Sequence, residues 1–201
     1  MAHLRRIQRH ALLTVLALAL TVPAIAQTGH TGLLDSIRID NFGRVSATYF
    51  RGAQPTGHDY TDLASLGVKT VIDLQEYGVK DERDLVEKSG MRYVNIGMNT
   101  RVNPTEGQIK QFLSIVSDPA KQPVYVHCAG GRHRTGVMTA IYRMTQEGWA
   151  SDAAFKEMKK YRFGADFMHP EFKKFVLSYH PVTPAATTQT VLATTIISPA
   201  N

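Results

Sequence analysis

Only one cysteine, Cys128, occurs in the 201 residues. No disulfide can therefore form within the chain, which suits export to an oxidising compartment, where spare thiols pair. The lone thiol is safe from internal pairing, though still open to oxidation. Long apolar runs are also missing. The most apolar stretch, Ala11–Val22, covers about a dozen residues, short of the roughly 20 needed to cross a bilayer as a helix. Arg5, Arg6 and Arg9 precede it without an acid, and Ala24-Ile25-Ala26 follows it. This is the form of a secretory signal peptide over residues 1–26, cut after Ala26. The expectation is a bacterial periplasmic or secreted protein with no stable membrane anchor after cleavage. A large charge excess is absent too. Three of the 23 basic residues fall in the leader, leaving 20 against 17 acidic ones, so nucleic acid is not an expected partner. The last segment, 181–201, has no charged side chain and is rich in Thr, Ala and Pro. It reads as a flexible tail, within which Val191–Ile197 has the composition of an added strand.

Between these ends, strand-like and helix-like segments alternate without an internal repeat. Ser46–Ala53, Val68–Gln75, Arg92–Met98 and Pro123–Cys128 are predicted strands. Asp59–Leu66 and Asp81–Ser89 are predicted short helices stopped by Gly67 and Gly90. Pro104–Val116 places Ile109, Phe112, Leu113 and Val116 on one helical face. Thr135–Glu147, Asp152–Tyr161 with Ser151 as cap, and Pro170–Ser178 complete the set. The alternation predicts an α/β fold, a three-layer sandwich with a mainly parallel central sheet of about four or five strands flanked by helices. One domain at 45–180 follows an N-terminal lead-in at 27–44. Oligomeric state stays open.

The chemistry concentrates in His127-Cys-Ala-Gly-Gly-Arg-His-Arg-Thr-Gly136. This stretch joins a short buried strand to a helix. Gly130 and Gly131 let the backbone turn its N–H groups inward, and inward N–H groups beside a helix N-terminus make an anion site. The same positive field favours Cys128 as the nucleophilic thiolate. Arg134 supplies a planar fork for two phosphate oxygens, and Thr135 a hydroxyl within reach of the sulfur. Other phosphate loops fit less well, since Val137 stands where a nucleotide-binding loop needs lysine. Zinc also fits poorly, because adjacent His127 and Cys128 lack a matching second ligand pair.

This decapeptide resembles the signature of the cysteine-dependent protein tyrosine and dual-specificity phosphatases, closest to the atypical plant-and-fungal-type branch and its bacterial relatives. Tyr49-Phe-Arg-Gly-Ala-Gln-Pro55 and Thr70-Val-Ile-Asp-Leu74 resemble that superfamily's opening strands, so the likeness covers residues 45–180. It implies a dual-specificity phosphatase-like sandwich and hydrolysis without metal or other cofactor. Cys128, Arg134 and Thr135 would be catalytic. Ala129, Gly130, Gly131, Arg132 and His133 would bind substrate, the last two having an equal claim as solvent-facing rim residues. The implied reaction forms a cysteinyl-phosphate that water then hydrolyses. Implied partners are a phosphorylated protein or a small phosphorylated molecule.

Family members place an acidic aspartate some way before the cysteine, where this chain has Asn99. An amide cannot donate a titratable proton. Glu106 and Asp118 are the candidate acids. Against them, Asn103, Pro104 and Glu106 fit the N-cap, first-turn proline and capping-box glutamate of the next helix, and Asp118 fits a turn. Asp73 is expected to hold a loop, and Arg51 to be structural. Three functions follow: a phosphotyrosine or dual-specificity phosphatase, the same apparatus directed at inositol phosphates, phosphoinositides or pyrophosphates, and a phosphate-binding module without turnover.

Overall fold

A computed structural model describes residues 28–181, so the leader expected over 1–26 and most of the tail expected over 181–201 lie outside the described residues. The sheet order is β1-β2-β5-β3-β4, with β1 Gly43–Ser46, β2 Tyr49–Gly52, β3 Thr70–Gln75, β4 Arg92–Met98 and β5 Val124–His127. Only the β1–β2 pair is antiparallel; β2–β5, β5–β3 and β3–β4 are parallel. The expected strand Ser46–Ala53 is therefore a hairpin. Ser46 pairs with Tyr49, and the Thr48 N–H donates to Ser46 Oγ, a side-chain turn that needs neither glycine nor proline. The predicted boundary at residue 44 falls inside β1, so the lead-in contributes to the sheet as well as forming helix α1, Thr28–Ser36.

Strand parity divides the core. Ile72, Leu74, Val124 and Val126 face one layer, made of α4 (Glu106–Val116), α5 (Arg134–Gln146), α6 (Ser151–Lys160) and α7 (Pro170–Ser178). Val71 and Tyr125 face the opposite layer with α2 (Asp59–Ser65) and α3 (Glu82–Lys88). Side chains two apart share a face, so Asp73 and His127 also point toward α2 and α3. Gly67, Gly90 and Gly148 follow their helices with positive φ, as the stop pattern requires.

Two predicted caps shift. Helix α4 starts two residues later than expected, capped by Thr105, whose hydroxyl accepts from the Gln108 N–H while the Gln108 side chain accepts from the Thr105 N–H. The capping box is thus Thr105–Gln108 rather than Asn103–Glu106. Ser151 is the first residue of α6, and Ala150 stands at its cap without a side-chain bond. Among the described residues no helix is long and apolar enough to cross a membrane.

Candidate active site

Strand β5 ends at His127, and the next residue, Cys128, is only 3% exposed at the carboxyl edge of the sheet. The chain then turns through 129–133 into α5. No acid lies in the first turn of α5 and no side chain caps it, so its leading N–H groups are free for an anion. Gly131 has φ +61, and a Cβ there would strike the Gly52 and Ala53 backbone. Glycine is required at this position because the loop crosses β2 at backbone distance.

The loop is held from outside by its carbonyls. Arg51, fully buried on β2, donates to Gly131 O at 2.6 Å, and Asn41 Nδ2 donates to the same oxygen at 2.8 Å. The Gln54 N–H donates to Ala129 O at 3.2 Å. With the carbonyls tied outward, the N–H groups are left for the loop interior. Arg51 has the expected structural role, though without a carboxylate: its guanidinium lies 4.0 Å from the centre of the Tyr161 ring. Asn41, in the lead-in, was missed by sequence reasoning. Its positive φ of 55°, tolerated best by Asn and Gly, is a constraint that sequence alone does not display.

Burial pushes the Cys128 thiol up, but hydrogen bonds from Thr135, the Arg134 charge and the Arg132 N–H outweigh it and hold the thiol below its ordinary value. Thr135 Oγ1 is buried and has no other hydrogen-bond partner among the described residues, so its hydroxyl is left to the Cys128 sulfur. Arg134 anchors Nη1 on Leu74 O at 3.4 Å and Met98 O at 3.2 Å. Among the described residues no other atom of its guanidinium is bonded to protein, which leaves the rest of the fork for a ligand.

The remaining predicted site residues are placed differently. Ala129 and Arg132 are exposed at the rim, with Gly130 partly so. Arg132 Nη2 lies 4.0 Å from Asp40. His133 is turned aside: Nε2 lies 3.0 Å from Phe163 O and its ring centre 3.8 Å from that of His169. Burial, then the neighbouring His169, lowers its pKa from 6.5. His133 therefore braces the α6–α7 connection instead of facing a ligand or the solvent rim. Asp118 sits at the opposite end of β5, paired with Lys121 at 2.9 Å, and that bond lowers its pKa. Glu106 borders a groove with Ile109, Lys110, Leu113, Phe175 and Tyr179 that no residue of the 128–135 loop lines. Neither candidate acid is brought to Cys128.

Directly behind the loop lies a buried polar cluster. His127 Nε2 is 3.1 Å from Glu82 Oε1, and His127 Nδ1 is 3.9 Å from Asp73 Oδ1, all with side chains fully buried. Burial raises the Asp73 pKa, against the pull of His127. Gln54 Nε2 donates to Glu82 Oε1 at 2.7 Å, and the Tyr93 hydroxyl to Asp73 Oδ2 at 3.0 Å. Asp73, Glu82 and His127 bring three potential metal-ligand atoms within 4.8 Å of one another. This carboxylate–imidazole set is what sequence spacing around His127 could not display. Within this set only His127 and Glu82 stand at hydrogen-bonding distance, with Gln54 donating to Glu82, whereas His127 Nδ1 and Asp73 are 3.9 Å apart.

A family model described as PTP-NADK, a DSP-PTPase phosphatase fused to NAD+ kinase, matches residues 35–174. The chain belongs to this phosphatase family. Dual specificity protein phosphatase TpbA of Pseudomonas aeruginosa is 31% identical over 125 residues, 62% of this chain and 56% of that protein. Inositol diphosphatase DSP2 of Oryza sativa is 29% identical over 127 residues, 60% of this chain and 61% of that one. The matches thus span little more than half the length of these phosphatases. The crystal structure of the catalytic core of the PP-IP phosphatase SIW14 from S. cerevisiae superposes with a TM-score of 0.63 at 25% identity, covering 71% of this chain and 87% of that one. The superposition shows a shared fold, in which this chain's loop after β5 lies at the carboxyl edge of its five-stranded mixed sheet.

Proposed function

We propose that this protein is a cysteine-dependent phosphatase that hydrolyses phosphate monoesters, of the phosphotyrosine or dual-specificity type, through a cysteinyl-phosphate on Cys128. The observation that carries the reading is the pairing of a thiol held below its ordinary pKa with an Arg134 fork whose free N–H groups lie in the same loop. Cys128 attacks phosphorus, Arg134 and the loop N–H groups hold the phosphoryl oxygens as charge shifts onto them, and the Thr135 hydroxyl stabilises the thiolate when water displaces it. A phosphorylated protein or a small phosphorylated molecule is the substrate. The leader pattern supports export to the periplasm or beyond.

A second reading takes the same loop to inositol phosphates or pyrophosphates. The names of the rice and yeast relatives favour it, as does an exposed Arg132 at the rim, suited to a second phosphate. The test is phosphate release by the mature chain, residues 27–201, from an aryl phosphate, a phosphotyrosyl peptide and an inositol pyrophosphate, under reducing conditions without added metal. Turnover of the first two in preference to the third supports the monoester reading. Preference for the pyrophosphate supports the second. Phosphate binding without turnover of any would contradict both and leave a binding module.

A further inference from the structure

Ester cleavage leaves an alkoxide or phenoxide that needs a proton, and neither Glu106 nor Asp118 is placed to give it. The carboxyl ends of β3 and β4 supply another carboxylate. Arg134 Nη1 is anchored on Leu74 O and Met98 O. Glu76 stands two residues beyond the first anchor, and Asn99 one residue beyond the second. Glu76 opens the turn that ends β3, and Asn99 follows the last residue of β4, so both lie at the sheet edge from which the Arg134 anchors come. Asn99 Nδ2 donates to Glu76 Oε2 at 3.0 Å. The Asn99 amide is itself oriented, since its Oδ1 accepts from the Arg101 N–H at 2.8 Å. Gly97 completes the arrangement: a Cβ there would collide with the Glu76 backbone, so the glycine lets the chain at Glu76 lie across the end of β4. Glu76 is exposed, and among the described residues its Oε1 has no partner. The other carboxylates near the loop are committed. Asp73 and Glu82 are buried behind it against His127, and Asp40 is paired with Arg162 at 2.8 Å.

We propose that Glu76 is the general acid of this site, with Asn99 as its positioning residue. The inference rests on the phosphatase reading above. In the first step the Cys128 thiolate forms the S–P bond, the P–O ester bond breaks, and the departing oxygen takes its electron pair and the proton of the Glu76 carboxyl. In the second step the Glu76 carboxylate takes a proton from water as that water forms a P–O bond and the S–P bond returns its pair to sulfur. The acid thus comes from the end of β3, and the amide at 99 aims it.

The test is kcat/KM, which reports the first step, for 2,4-dinitrophenyl, phenyl and primary alkyl phosphates with the full chain and its variants. A leaving group that departs readily needs no proton, whereas a basic one does. The wild type should show a shallow dependence on leaving-group basicity. Glu76→Gln should lose roughly 100-fold on phenyl phosphate, within the usual range for general acid catalysis, and only a few-fold on the dinitrophenyl ester. Glu76→Asp should recover part of the loss, and Asn99→Ala should steepen the dependence by a smaller amount. A purely structural role would lower all three substrates together. An unchanged dependence in Glu76→Gln, or a uniform loss, overturns the proposal while leaving Cys128 chemistry standing. Dinitrophenyl phosphate turnover that is absent in the wild type, or retained in Cys128→Ser, overturns the phosphatase reading and this proposal with it.

Discussion

Serine in place of Cys128 is expected to abolish phosphate release while leaving the fold in place. Sulfur is 3% exposed at the end of β5 and lies under the N–H groups of Arg132 and Thr135, with the Arg134 charge beside it. These groups hold the thiol's pKa below its ordinary value and so favour the thiolate, but an alkyl hydroxyl starts far too high for the same field to ionise it. Removing the nucleophile of a hydrolase costs on the order of 10⁶-fold in turnover. The polar neighbours that lower the thiol pKa can also hydrogen-bond a hydroxyl, so the change is structurally mild. Steady-state phosphate release, together with a melting curve, checks both halves. Retained turnover would mean that another group attacks phosphorus.

Glu82→Ala should produce the largest loss of stability of any single change near the site. Glu82 reaches from the first turn of α3 into the space behind β3 and β5, where its Oε1 faces His127 Nε2 at 3.1 Å and accepts from Gln54 at 2.7 Å. The Tyr60 hydroxyl, 3.3 Å away, has a second acceptor in Pro55 O and survives the change. His127 does not, because its other carboxylate, Asp73, stands at 3.9 Å. Breaking a buried pair by deleting one partner costs roughly 3–5 kcal/mol. For a chain of this size that lowers the melting temperature by roughly 6–20 °C. Glu82→Gln keeps the volume and a hydrogen-bonding oxygen, so it should cost less. Thermal unfolding of the two variants beside the wild type is the check, and an unchanged melting temperature in Glu82→Ala would show that the cluster contributes nothing.

The loop itself was legible in the sequence because its residues are contiguous. Cys128, Gly131, Arg134 and Thr135 announce their chemistry within eight positions, and strand and helix patterns on either side place them at a sheet edge. Strand β4 and helix α7 likewise occur where periodicity puts them. The β1–β2 hairpin was obscured because Ala47-Thr48 carries no glycine, proline or asparagine, so one alternating run conceals a reversal. For the α4 cap the signal was present, since Thr105-Glu-Gly-Gln108 is itself a capping box; reading Pro104 as the first helical residue put the cap two residues early, at Asn103. The buried Glu82 was beyond reach for a different reason. Within Asp81-Glu-Arg-Asp84 it looks like part of a solvated charged face, and its burial follows only once strand parity turns Asp73 and His127 toward α3. Glu76 and Asn99 come together across two parallel strands, a register that no local pattern encodes.

Trapping the intermediate tests the central claim most directly. The protein is mixed with excess aryl phosphate, quenched in acid after a few milliseconds, digested and analysed by mass spectrometry. The account predicts one added phosphoryl group on the peptide carrying Cys128, located on the sulfur, and its absence from Cys128→Ser. A phosphoryl group on His127 or His133, or rapid turnover with Cys128 unmodified and dispensable, would contradict it.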